Sequence, residues 1–188
     1  MKLTFTTLSA ALGMGLLAAP AGAAAIDLND FFADPTVTVA ADGSMATIAE
    51  DPGFSPIILA NDPGLGDPNV IIPAAGAILS FDYMFTEAAG GDDEFGYFLI
   101  DGTTGLDIAG YSNFIVDSMS GTESFNLSSL TGMTLGLSFQ LSGLPGDTDF
   151  NSTVKISNLR IDVVPLPASA LLLGAGIASL MAGRRRRS

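Results

Sequence analysis

Leu79-Ser80-Phe81-Asp82-Tyr83-Met84-Phe85 is the stretch that decides the fold. Leu79, Phe81, Tyr83 and Phe85 alternate with Ser80, Asp82 and Met84, and a period of two places the four large apolar side chains on one face of a strand. The same alternation recurs where Leu135, Leu137, Phe139 and Leu141 interleave with Thr134, Gly136, Ser138 and Gln140. Outward from these, short apolar runs at 36–39, 45–48, 57–59, 95–100, 113–116, 124–127 and 154–164 predict further strands, each bounded by Gly, Asp, Asn or Pro. Asp101-Gly102 and Leu144-Pro145-Gly146-Asp147 read as turns, and 61–73, rich in Pro, Gly and Asp, reads as a surface loop. A helical turn is expected only at 27–32, and no internal repeat or low-complexity tract is present. Many short strands separated by turn residues predict an all-β domain, an antiparallel β-sandwich.

The two ends of the chain read differently. Lys2, an apolar stretch over 8–19, and small residues at Ala21-Gly22-Ala23 and Ala23-Ala24-Ala25 have the order of a signal peptide. Cleavage is expected near Ala25, with Ala23 as the second site, so that signal peptidase is the first partner. At the far end, 168–183 contains no charged residue and is followed by Arg184, Arg185, Arg186 and Arg187. Sixteen helical residues span about 24 Å against a hydrocarbon core of about 30 Å, so flanking residues or local thinning must make up the difference. An arginine cluster directly after a transmembrane helix resists translocation, which predicts a cytoplasmic C-terminus and an exported middle. The predicted boundaries are a signal peptide at 1–25, a β-sandwich domain at 26–163 and a C-terminal segment at 164–188.

The exported middle carries all 20 acidic residues of the chain against Lys155 and Arg160, a formal charge of −18. Such a surface repels nucleic acid and anionic lipid. The chain has no histidine, which excludes a Ser-His-Asp triad and His-based proton transfer. It also has no cysteine, which excludes thiol chemistry, disulfides and Cys-ligated zinc.

Val164-Pro165-Leu166-Pro167-Ala168, followed by the apolar segment and then by Arg184 to Arg187, resembles the PEP-CTERM type of bacterial sorting signal in its VPLPA variant. The resemblance covers about the last 25 residues. It implies recognition by an exosortase-like membrane protease, cleavage near the proline motif, and delivery to the cell surface or extracellular matrix in a setting of exopolysaccharide and biofilm production. Prolines fit this role physically, because they hold the preceding residues extended and off a helix. A second resemblance rests on Leu79 to Glu87 and on Asp92-Asp93-Glu94-Phe95-Gly96-Tyr97-Phe98-Leu99-Ile100-Asp101-Gly102. These look like the paired central strands of jelly-roll domains in surface-anchored bacterial proteins, a fold similar to that of carbohydrate-binding modules. It bears on fold more than on function.

Within the domain, Asp92, Asp93 and Glu94, flanked by Glu87 and Asp101, form the candidate metal site. Oxygen ligands at a loop containing Gly90 and Gly91 suit calcium, although the spacing is not that of an EF-hand, and a solvated acidic loop is the competing reading. Asp147, Thr148, Asp149 and Asn151 make a weaker second cluster. Glycan binding would need exposed aromatic faces; without tryptophan, Tyr111, placed in an apparent loop beside Gly110 and Asn113, is the candidate for sugar stacking, while Tyr83 and Tyr97 fall at core positions. Pairs of carboxylates suited to glycoside hydrolysis arise by chance among 20 acidic residues. The expected function is that of an exported, non-enzymatic surface or matrix protein, structural or adhesive. The alternatives are a calcium- or glycan-binding adhesion module that stays membrane-anchored and, more weakly, a carboxylate-dependent hydrolase.

Overall fold

The computed structural model describes residues 23–53, 55–61, 71–88, 93–143 and 150–163. They form two antiparallel sheets. One contains β3 (Val37–Val39), β4 (Met45–Ala49), β11 (Thr153–Val163), β6 (Ala77–Thr86) and β9 (Met119–Asn126) in that order, with β1 (Ala23–Ala25) also pairing β11. The other orders β2 (Phe32–Ala33), β5 (Ile57–Asn61), β10 (Leu135–Gly143), β7 (Asp93–Asp101) and β8 (Leu106–Ile115). From β6 onward the chain crosses repeatedly between layers: β6, β9 and β11 lie in the first sheet, and β7, β8 and β10 in the second, with β7 and β8 an antiparallel pair.

The alternation read from the sequence is what closes the two layers on one another. Leu79, Phe81, Tyr83 and Phe85 from β6 face Phe95, Tyr97 and Leu99 from β7 and Leu137, Phe139 and Leu141 from β10 in one core cluster. Phe81 sits at its centre, meeting Tyr97 edge-on at 5.3 Å between ring centroids and Phe139 at 5.0 Å, arrangements that suit the ring quadrupoles. Val154 and Ile156 of β11 and Ala46 and Ile48 of β4 complete the wall of the first sheet.

Two strands are longer than the sequence predicts. The expected strand at 113–116 is the end of β8, and that at 124–127 the end of β9. Both lie at sheet edges and are largely exposed, and the small or polar residues of Ala109-Gly110 and Ser120-Gly121-Thr122 break the apolar alternation, Gly121 where a Cβ would come within 3.1 Å of the Tyr83 ring. The predicted helical turn at 27–32 is a single 3-10 turn, Leu28–Asp30, which carries buried Leu28 across the end of the sandwich between β1 in one sheet and β2 in the other.

The N-terminal boundary also shifts. Ala23, Ala24 and Ala25 pair with Asp162, Ile161 and Arg160, so the folded unit includes three residues that the sequence reading assigned to the leader. The rest of that leader, the motif Val164 to Ala168, the apolar segment and Arg184 to Arg187 lie outside the described residues. Among the described residues no helix is long and apolar enough to cross a membrane.

Candidate functional site

Of the five carboxylates expected to share one metal site, the four described do not converge. Asp93 and Asp101 are the two ends of β7, eight residues apart, which at about 3.3 Å per residue separates them by about 26 Å. Glu94, next to Asp93, points to the opposite face of the sheet, beside Ser142 of β10. Asp101 is used locally, its Oδ1 accepting the Thr103 N–H at 2.8 Å to shape the following turn. Asp92 lies outside the described residues. Among the described residues no three carboxylates are placed to hold a metal ion.

Asp93 is instead held by a residue that sequence reading missed, which also binds the backbone next to Glu87. Ser152, fully buried, donates its hydroxyl to Asp93 Oδ2 and accepts the Ala88 N–H at 2.8 Å. Its own N–H donates to Glu50 Oε2 at 3.2 Å, and Ser118 Oγ accepts the Glu87 N–H at 2.8 Å. Asp93 is 1% exposed, and both Asp93 Oδ1 and Glu87 Oε1 are buried without a hydrogen-bond partner. Two acceptor oxygens, one after the end of β6 and one at the start of β7, therefore have open lone pairs. No local signal around Ser152 announces this, because its partners are 59 and 64 residues away in the chain.

Tyr111 is not a loop residue. It lies within β8, half-buried, with its ring 5.8 Å from that of Phe125 and its hydroxyl 3.0 Å from the Asn126 carbonyl, to which it donates, and 3.1 Å from Ser129 Oγ. That hydroxyl ties β8 to the end of β9, a structural use that leaves little of the ring for a sugar. Asn126 beside it spends its side chain on the Ser128 N–H at 3.0 Å. The buried Tyr97 follows its predicted core role. Burial raises its pKa above the ordinary range for a phenol; Asn113 pulls it down and Glu123, which accepts from the hydroxyl, pushes it up.

The exposed aromatic faces lie elsewhere, on the outer surface of the second sheet. Phe114 on β8 is 54% exposed and stands edge-on to Phe98 of β7 at 5.1 Å. Gly96 lies beneath the pair, and a Cβ there would come within 2.9 Å of the Phe98 ring. The register sets Gln140 beside Gly96 and Ser138 and Ser112 beside Phe98, so polar groups border the two rings. Phe32, 53% exposed, occupies the opposite edge of the same sheet. Sequence reading favoured tyrosine over phenylalanine for this task and placed Phe114 in a short apolar run.

Asp147, Thr148 and Asp149 of the second acidic cluster fall outside the described residues; Asn151 is exposed. No family model matches the chain, and comparison with curated proteins finds no match. Among solved structures the chain is similar to SGBP-B from a complex xyloglucan utilization locus in Bacteroides uniformis, at 15% identity and a TM-score of 0.33, over 71% of this chain and 47% of that one. The chain thus matches about half the length of that protein. A likeness of that depth says nothing about what this chain binds.

Proposed function

We propose that this chain is an exported, non-enzymatic surface or extracellular-matrix protein whose product is the β-sandwich, a domain of jelly-roll type, and whose two ends are addresses. In this reading a signal peptidase removes the leader, the C-terminal helix holds the chain in the membrane with Arg184 to Arg187 on the cytoplasmic side, and an exosortase-like enzyme acts at Val164 to Ala168. The domain then serves a structural or adhesive role among exopolysaccharide. One observation carries the reading: every described strand lies before the proline motif, and the last of them, β11, is an interior strand held by β4 and β1 on one side and β6 on the other. A cut at the motif removes none of the described strands and none of the described core residues. At the other end, a leader cut after Ala25 would strip away β1, whereas a cut after Ala23 keeps Ala24 and Ala25 paired with β11, so the latter bond is the one we assign.

The test is to follow the chain and a Pro165→Ala/Pro167→Ala variant through membrane, surface and medium fractions of the native host. The unaltered chain is expected at the surface or in the medium without its tail, and the variant in the membrane with it. Identical distribution of the two would contradict the sorting role of the motif.

A second reading, a calcium-binding module, is favoured by the buried open oxygens of Asp93 and Glu87. Calcium raises the melting temperature in that case, and Asp93→Asn removes the increase. A melting temperature indifferent to millimolar calcium would discard it.

A further inference from the structure

A cleft of about 340 Å³ opens at the end of the sandwich where the chain crosses from β1 to β2, and its floor contains a polar group in a core position. Asn61 follows Ile57 and Leu59 on the inward face of β5 and sits opposite Leu137 of β10. It is 1% exposed, yet its Oδ1 has no hydrogen-bond partner. A buried amide oxygen left unpaired is costly, and an apolar residue of similar shape would remove that cost. Its presence on the floor of an open cleft points to a group that enters from outside and donates to it.

The rim states what kind of group this is. Asp27 and Asp30 line the cleft, both acceptors, and no lysine or arginine among the described residues pairs with either; the ion pair described is Arg160 with Asp162. Asp27 is held in place. Its Oδ1 accepts the Asn29 N–H at 2.9 Å, and the side chain lies over Gly43, where a Cβ would fall 1.6 Å from Oδ1. Gly43 also has φ +66° and supplies the carbonyl that accepts the Leu28 N–H at 3.0 Å, so the turn and the position of Asp27 depend on one another. The remaining wall, including Phe31, Ile71 and Ile72, is apolar. An occupant must therefore donate hydrogen bonds, carry positive charge toward the two carboxylates and present a compact apolar face. The volume lies at the lower end of the range for ligand sites, enough for a single ring.

We propose that this cleft binds one hexosamine unit with a free ammonium group, the ammonium between Asp27 and Asp30, a hydroxyl donated to Asn61 Oδ1, and the C–H face of the ring on Phe31 and Ile72. The identification of the ligand as a sugar rests on the matrix setting proposed above; the preference for a cation rests on the cleft alone.

Isothermal titration of the full chain with glucosamine, glucose and N-acetylglucosamine tests it. Glucosamine binds, and the two neutral sugars bind at least about tenfold more weakly, since a hydrogen bond to a charged group accounts for that ratio or more. Asp27→Asn with Asp30→Asn abolishes the preference. Asn61→Leu weakens glucosamine binding while leaving the melting temperature unchanged or raised, a combination that a purely structural Asn61 would not give. Equal binding of glucose and glucosamine, absence of binding by glucosamine, or a glucosamine affinity unaffected by Asn61→Leu each overturn the proposal. None of these outcomes bears on the processing of the two ends, which the fractionation experiment decides separately.

Discussion

Ser152 shows how one buried hydroxyl can organise a corner. It donates to a carboxylate that is 1% exposed and accepts a backbone N–H from the β6 end, so Ser152→Ala leaves Asp93 without its donor and Ala88 without its acceptor. Unsatisfied buried polar groups cost about 1–3 kcal/mol each, and chemical denaturation of Ser152→Ala is expected to show a loss in that range. A change within error would mean that the corner relaxes to admit water. Asp82 is the corresponding residue on the outer face of the first sheet. Its carboxylate accepts from Thr122 Oγ1 at 2.5 Å and Asn158 Nδ2 at 2.6 Å, bonds that with the charge of Arg160 hold its pKa below the ordinary 3.8. A carboxyl with a lowered folded-state pKa contributes stability above its unfolded value, and that contribution disappears as pH falls through the folded value. Melting temperatures measured from pH 6 down to about pH 3 are therefore expected to fall less steeply for Asp82→Asn than for the unaltered chain. Parallel curves would show that the bonds do not distinguish the charged form.

At the scale of single elements, β11 is where local and global demands meet. It pairs β4 over its first half and β1 over its second, while its register against β6 shifts between Ser157 and Arg160. Asn158 sits in that irregularity at φ 53°, a left-handed conformation that asparagine tolerates better than most residues, and its side chain returns to Asp82. Asn158→Ala loses both advantages, whereas Asn158→Gly loses only the hydrogen bond. Unfolding measurements should place alanine about 1 kcal/mol below glycine; the reverse order would mean that the bulge is reshaped by the substitution. The same element explains what was legible in sequence. The alternations at 79–85 and 135–141 are legible because both stretches face one core from an interior strand, and they predicted the two layers. Strands β8 and β9 were half-hidden because small and polar residues, Gly121 against Tyr83 among them, interrupt their inward alternation, and Tyr111 was taken for a loop residue because Gly110, at φ 84°, interrupts the pattern inside a strand. The pairing of Asp93 with Ser152 could be read only in part: Asp93 belongs to a visible acidic run, and Ser152 arrives from β11's end of the chain.

At the scale of the whole molecule, the predicted sandwich segment bears all 20 of the chain's acidic residues and none of its arginine cluster, so the segments differ in the environment each suits. Cohesion comes from one shared core, without cysteine, and the interior strand that closes it stops at the residue before the proline motif. A tail removed at the motif leaves every described strand and core residue in place. The most direct test is the intact mass of the chain recovered from the envelope and medium of its native host. The account predicts one product that begins at Ala24 and ends close to Val164. A mass that still includes the apolar segment and Arg184 to Arg187 in the surface-exposed product would contradict it, and would make the protein a permanently anchored module.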